Sequence, residues 1–210
     1  MNLVGIMDIL CRKRMIFHSE ADFQFAFAWQ LQQIYPQADI RLEYPAPQEG
    51  SASQEVREYI DILVRLNGDV YPIELKYKTR RLAVHLDGES FALKNHGAGD
   101  FGSYDFIKDI SRLERYEDSI PGFRHGFAIW LTNDPYYWNP PRRDGTAADE
   151  FRVYEGSVKA GTLAWGSTMT ETYGREKPLI LNKEYTIHWV EYSIVSEDSV
   201  GVFKYSITSV

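Results

Sequence analysis

Residues Arg57 to Arg80, REYIDILVRLNGDVYPIELKYKTR, decide how the rest of the chain is read. Two apolar-rich runs flank Asn67-Gly68, a pair that suits a type I′ turn because both central positions of such a turn need φ > 0. A two-residue loop sets Leu66 opposite Asp69, and the same register sets Asp61 opposite Glu74. Side chains alternate between faces along a strand, so Tyr59, Asp61, Glu74 and Lys76 share one face. Ile60, Ile62, Val64, Ile73, Leu75 and Tyr77 occupy the other, core-facing side. Opposed residues have Cβ atoms about 5 Å apart, and two carboxylates at that distance repel by about 3 kcal/mol at an effective dielectric near 20. Lys76 offsets part of that repulsion, and a divalent cation would offset it for both acids at once. Pro72 falls at a non-hydrogen-bonded position of this register, where its missing N–H costs no ladder bond.

Asp61 followed by Glu74-Leu75-Lys76 on the next strand resembles the D…(D/E)-x-K motif of the PD-(D/E)XK nuclease superfamily, with Ile60 where that family often has proline. The resemblance covers Ser19 to Asp134. It implies a restriction-endonuclease-like fold in which Asp61 and Glu74 bind magnesium or manganese and Lys76 orients or deprotonates the attacking water. A helix before the first strand often adds a glutamate in this family, a place that Glu20 fills. Glu20 also suits the first turn of a helix through the helix dipole. An exposed hairpin with an ordinary surface ion pair is the plainer reading of the same residues. If the lysine is catalytic, Lys76→Ala is expected to abolish cleavage and spare the fold.

Around the hairpin, Ser19 reads as an N-cap and Glu20 to Ile34 as a largely apolar helix. Ala38 to Tyr44 reads as a strand, followed by a flexible loop, PAPQEGSASQ. Beyond the hairpin an irregular segment with Gly97, Gly99 and Gly102 extends to about Ser103, either a substrate-covering loop or a surface excursion. Asp105 to Glu117 reads as a second helix carrying Lys108, Arg112 and Arg115 as a basic stripe, and His125 to Thr132 (with GFAIWL) as a strand covered on both faces. The elements run αβββαβ. The fold class expected is therefore α/β, an α+β mixed sheet with a β-rich C-terminal extension. Residues 1–17 form an arm or short helix, 18–144 the core, and 145–210 the extension, with strands at Gly156 to Trp165, Tyr185 to Val195 and Val202 to Ser209.

The expected function is divalent-metal-dependent hydrolysis of phosphodiester bonds, in DNA before RNA. The alternative is a catalytically inactive nucleic-acid- or protein-binding module of the same fold. Lys78, Arg80, Lys108, Arg112, Arg142 and Arg143 are the candidate nucleic-acid contacts. Tyr136, Tyr137 and Trp138, beside Arg142 and Arg143, are candidates for base stacking or for packing onto the domain. Twenty-three Lys and Arg against thirty Asp and Glu give a net charge of −7, which argues against coating nucleic acid through the whole surface. A lone cysteine, Cys11, forms no internal disulfide, no apolar run suits a bilayer, and the first residues lack a secretory pattern, so a cytoplasmic protein without membrane partners is expected. Cleavage of both strands would favour a homodimer. The scattered histidines, His18, His85, His96, His125 and His188, show no zinc spacing, and hydrolase-elbow and nucleotide-loop motifs are absent.

Overall fold

The computed structural model describes residues 1–47 and 58–210, so most of the expected PAPQEGSASQ loop and Arg57 lie outside the described residues. The N-terminal stretch is a helix, α1 (Leu3–Lys13), whose N-cap Asn2 accepts from the Gly5 N–H. The next helix, α2 (Glu20–Ile34), starts where Ser19 Oγ accepts from the Asp22 N–H, satisfying one of the free donors of its first turn. Three strands follow: β1 (Asp39–Pro45), β2 (Tyr59–Leu66) and β3 (Asp69–Lys78). Asn67 and Gly68 have φ of 55° and 90°, as a type I′ turn requires.

The segment after the hairpin is more ordered than its sequence suggested. A second hairpin, β4 (Leu82–Leu86) and β5 (Glu89–Leu93), turns at Asp87-Gly88, again with both φ positive. Helix α3 (Gly99–Ser119) then begins six residues before the expected Asp105. Gly99 and Gly102 are part of the helix, and rings pack on both. A Cβ on Gly99 would meet the Tyr136 ring at 2.5 Å, and one on Gly102 would meet Tyr137 Oη at 2.6 Å.

Strand β6 (Phe127–Thr132) is buried throughout. Beyond it come a single helical turn, α4 (Pro135–Trp138), and the strands β7 (Val158–Leu163), β8 (Leu179–Thr186), β9 (Val190–Ile194) and β10 (Val202–Ser209). The central sheet has the order β1-β2-β3-β6-β10-β9, mixed because β3 and β6 run parallel while the other neighbours are antiparallel. The expected strand Tyr185 to Val195 is two strands. It breaks around Ile187, where the chain leaves a separate β7–β8 ribbon and joins the main sheet. Glu114 of α3 holds that ribbon by accepting from the Asn182 and Lys183 N–H groups and from Tyr185 Oη.

The sheet divides two cores. Helices α1 and α2 cover one face with Phe23, Phe27 and Leu31 against Ile62, Val64, Ile73, Leu75 and Tyr77. Helix α3 covers the other with Phe106, Ile107 and Ile110 against Leu63, Ala128 and Trp130. Ile60 departs from expectation and joins this second core, so the alternation of β2 changes at Asp61. Among the described residues, no helix is long and apolar enough to cross a membrane.

Candidate active site

The β2–β3 register runs as the turn dictates from Leu66↔Asp69 to Ile62↔Ile73 and stops there. Asp61 and Glu74 are therefore not a ladder pair. Asp61 Oδ2 instead accepts from the Leu75 N–H at 2.6 Å, and Glu20 Oε2 accepts from the Tyr77 N–H at 2.7 Å. Two alternate donors of β3, left open where β2 diverges, are closed by two of the acids expected from sequence. Gln24 holds the divergence by donating Nε2 to the Asp61 carbonyl at 2.7 Å and to Glu43 at 2.8 Å.

Glu74 and Lys76 project from β3 beneath α3. Lys76 Nζ lies 2.6 Å from Asp109 Oδ2, and both side chains are largely buried. Glu74 is 2% exposed, and its Oε1 lies 3.3 Å from Arg112 Nη2. That oxygen has no hydrogen-bond partner among the described residues. Arg112 also approaches Asp109 at 3.6 Å and donates Nη2 to the Tyr59 carbonyl at 2.6 Å and to Tyr116 Oη at 3.0 Å. Asp105, Asp109, Arg112 and Tyr116 follow helical spacing, so one stripe of α3 supplies both partners of the acid-lysine pair.

Charge on these groups is mutually tuned. Burial raises the pKa of Asp61 from 3.8 to about 6, Asp109 and Glu20 add to the rise, and the Leu75 N–H and Lys76 oppose it. Burial likewise raises Glu74 well above the carboxylate range, reinforced by Asp109 and Asp61 against Arg112 and Lys76. For Lys76, burial works against the ammonium, yet Asp109 outweighs it and leaves the pKa above the ordinary lysine value. Held against Asp109, the Lys76 ammonium is a cation and a donor. Among the described residues five carboxylates, Glu20, Glu58, Asp61, Glu74 and Asp109, surround two cations, Lys76 and Arg112.

Among the described residues, no three His, Cys, Asp or Glu side chains converge as a complete metal cage. Magnesium needs only one or two protein carboxylates, because water and substrate phosphate complete its octahedron. Asp61 and Glu74 fit that role: both offer carboxylate oxygens, burial raises the pKa of both, and Glu74 Oε1, though 3.3 Å from Arg112, has no hydrogen-bond partner among the described residues.

The residues expected to meet nucleic acid separate into different settings. Lys78 lines a cleft of about 330 Å³ with Glu20, Lys94 and His96. Arg80, Arg142 and Arg143 line another of about 520 Å³. Lys108 is exposed on α3. Arg112 is not part of an exposed stripe: its side chain is 12% exposed and its guanidinium faces Glu74 and Asp109, while Arg115 pairs with Glu58 at 3.4 Å. Tyr137 and Trp138 are core residues, with Tyr137 packed on Trp130 at 4.3 Å between centroids, so they offer no stacking surface. Tyr136 donates its hydroxyl to Asp100. Asp109, Tyr116 and Gln24 are the site residues that sequence reasoning missed. The Asp109 to Arg112 spacing was visible, but it reads equally as a solvated pair.

Comparison of the chain with protein-family models, curated proteins and solved structures finds no match, so the chemistry of the site rests on its own geometry.

Proposed function

We propose that the Asp61, Glu74 and Lys76 cluster hydrolyses phosphodiester bonds with a divalent metal, acting on nucleic acid and on DNA in the first instance. The observation that supports this most is the buried oxygen Glu74 Oε1, which has no hydrogen-bond partner among the described residues, beside a second carboxylate whose pKa burial raises to about 6. Asp61 and Glu74 would hold magnesium, which when bound polarises a phosphate and lowers the pKa of a coordinated water. The rest falls to the chain itself. Lys76 donates to the anionic oxygens of the reacting phosphate and offsets charge as it develops. The Leu75 N–H fixes the Asp61 carboxylate, and Arg112 fixes Glu74, so neither acid needs reorganising when substrate arrives. Glu20, tied to the next open N–H of β3, keeps a further negative charge near Asp61.

The test is incubation with duplex DNA, single-stranded DNA and RNA, in magnesium, manganese or EDTA, beside the Glu74→Gln variant. Metal-dependent cleavage lost in Glu74→Gln is expected. Cleavage that persists in EDTA, or at full rate in the variant, would refute the reading.

One observation favours a second reading, a binding module without turnover: the Lys76 ammonium is already engaged by Asp109 at 2.6 Å. That reading predicts no cleavage of any substrate, and nucleic-acid or protein binding that survives Asp61→Asn and Glu74→Gln.

A further inference from the structure

The cleft of about 520 Å³ lies past the carboxyl ends of β3 and β6, the one parallel pair in the central sheet. Crevices at the carboxyl ends of strands are where open α/β sheets take their ligands. Four guanidiniums line it: Arg80, Arg142, Arg143 and Arg152. In a chain with seven more acids than bases, this is a local reversal of charge. Asp134 is the one carboxylate on its wall, and it reaches only Arg80, at 3.8 Å.

The arginines differ in how firmly they are held. Arg152 is fixed, its guanidinium 5.2 Å from the centre of the Tyr136 ring, 3.7 Å from Asp149 and 4.0 Å from Asp100. Arg80 is anchored through its backbone, its N–H donating to Asn133 Oδ1 at 2.8 Å. Arg142 and Arg143 are exposed and have neither ion pair nor hydrogen bond among the described residues. They follow Pro140-Pro141, whose fixed φ angles stiffen the segment that presents them. One fixed guanidinium, Arg152, and two unpaired ones, Arg142 and Arg143, with Arg80 half exposed beside them, suit an oxyanion with several acceptor oxygens, because arginine forks bind phosphate through paired N–H groups. The volume is that of a small-molecule site and accommodates a whole nucleotide.

We propose that this cleft binds a phosphate monoester carried on a nucleotide-sized unit, either the terminal phosphate of a polynucleotide or a free nucleotide. A dianionic end group matches the two uncompensated guanidiniums, Arg142 and Arg143, better than a singly charged internal diester does. Binding here is independent of the hydrolytic reading of Asp61 and Glu74, and it is measured without metal or turnover.

The experiment is fluorescence anisotropy in EDTA with a short labelled oligonucleotide carrying a 5′-phosphate, the same oligonucleotide with a 5′-hydroxyl, and unlabelled AMP and ATP as competitors. The phosphorylated probe is expected to bind at least about tenfold more tightly than the hydroxyl probe, a difference of about 1.4 kcal/mol. That preference is expected to vanish in Arg142→Ala/Arg143→Ala. It should persist in Arg41→Ala/Lys183→Ala, which removes the same charge from exposed positions elsewhere. Competition by AMP or ATP at matching affinity assigns the site to free nucleotides, whereas binding of the phosphorylated oligonucleotide alone assigns it to strand ends. Equal binding of the two oligonucleotides with no competition by nucleotides, or an unchanged preference in the double arginine variant, would overturn the proposal.

Discussion

Asp61→Asn should make the metal-free protein more stable, and the gain should depend on pH in a defined sense. The folded environment raises the Asp61 carboxyl from 3.8 to about 6, chiefly through burial. A raised acid costs stability whenever it is ionised in the folded state. The cost is therefore present in full above pH 6, shrinks as pH falls through the folded value, and is gone below about pH 4. A shift of about two units at about 1.4 kcal/mol each gives a penalty of about 3 kcal/mol. Asparagine retains an acceptor for the Leu75 N–H, which Asp61 meets at 2.6 Å, so the geometry is preserved while the charge is removed. Removing that charge also relieves Glu74, which feels Asp61 directly, so the second effect has the same sign. Urea denaturation in EDTA at pH 8, 6 and 4 should show the variant more stable by about 2–3 kcal/mol at pH 8, with the difference closing by pH 4. For a chain of this size that corresponds to a rise in Tm of about 5–10 °C. Magnesium should narrow the difference at pH 8 by stabilising only the protein that retains Asp61. No gain at pH 8, or a gain that is constant from pH 8 to pH 4, would refute the reasoning.

Two further substitutions follow from the packing. Lys76→Met leaves buried Asp109 with Arg112 alone, at 3.6 Å, and should cost about 3–5 kcal/mol, in contrast to the sequence-based expectation that losing this lysine spares the fold. The pair Lys76→Met/Asp109→Leu should recover most of that loss in urea denaturation, and failure to recover any of it would show that the ion pair is not the source. Gly102→Ala should lower stability by about 1–3 kcal/mol in thermal denaturation despite alanine's better helix propensity, because its methyl would meet Tyr137 Oη at 2.6 Å.

What was legible in the sequence was set by local rules. Asn67-Gly68 imposed a register that holds for five pairs, and Ser19 marked the first turn of α2. The unbroken apolar run of β6 announced a strand covered on both sides, which it is. What was missed depends on partners far along the chain. Gly99 and Gly102 looked like a loop because glycine weakens helices, and the reason for them is a pair of rings 37 and 35 residues later. The β4–β5 hairpin carried a readable signal in Asp87-Gly88, hidden within a stretch otherwise taken as irregular. Arg112 and Asp109 could not be told from a surface pair, because helical periodicity does not say which polar stripe lies over Glu74 and Lys76. The end of the β2–β3 ladder at Ile62 was invisible for a similar reason: Gln24, from a different element, holds the strands apart there.

The strand order also sets a timetable for synthesis. Strand β10 lies inside the central sheet, between β6 and β9, although it follows both of them in the chain. Helix α1 is made before every strand of this sheet, yet it docks on β9, where Tyr192 Oη donates to the Arg14 carbonyl. The sheet therefore cannot close until translation has passed Ser209. Until then β6 presents an unpaired apolar edge, an interval in which a nascent-chain chaperone has a defined surface to cover.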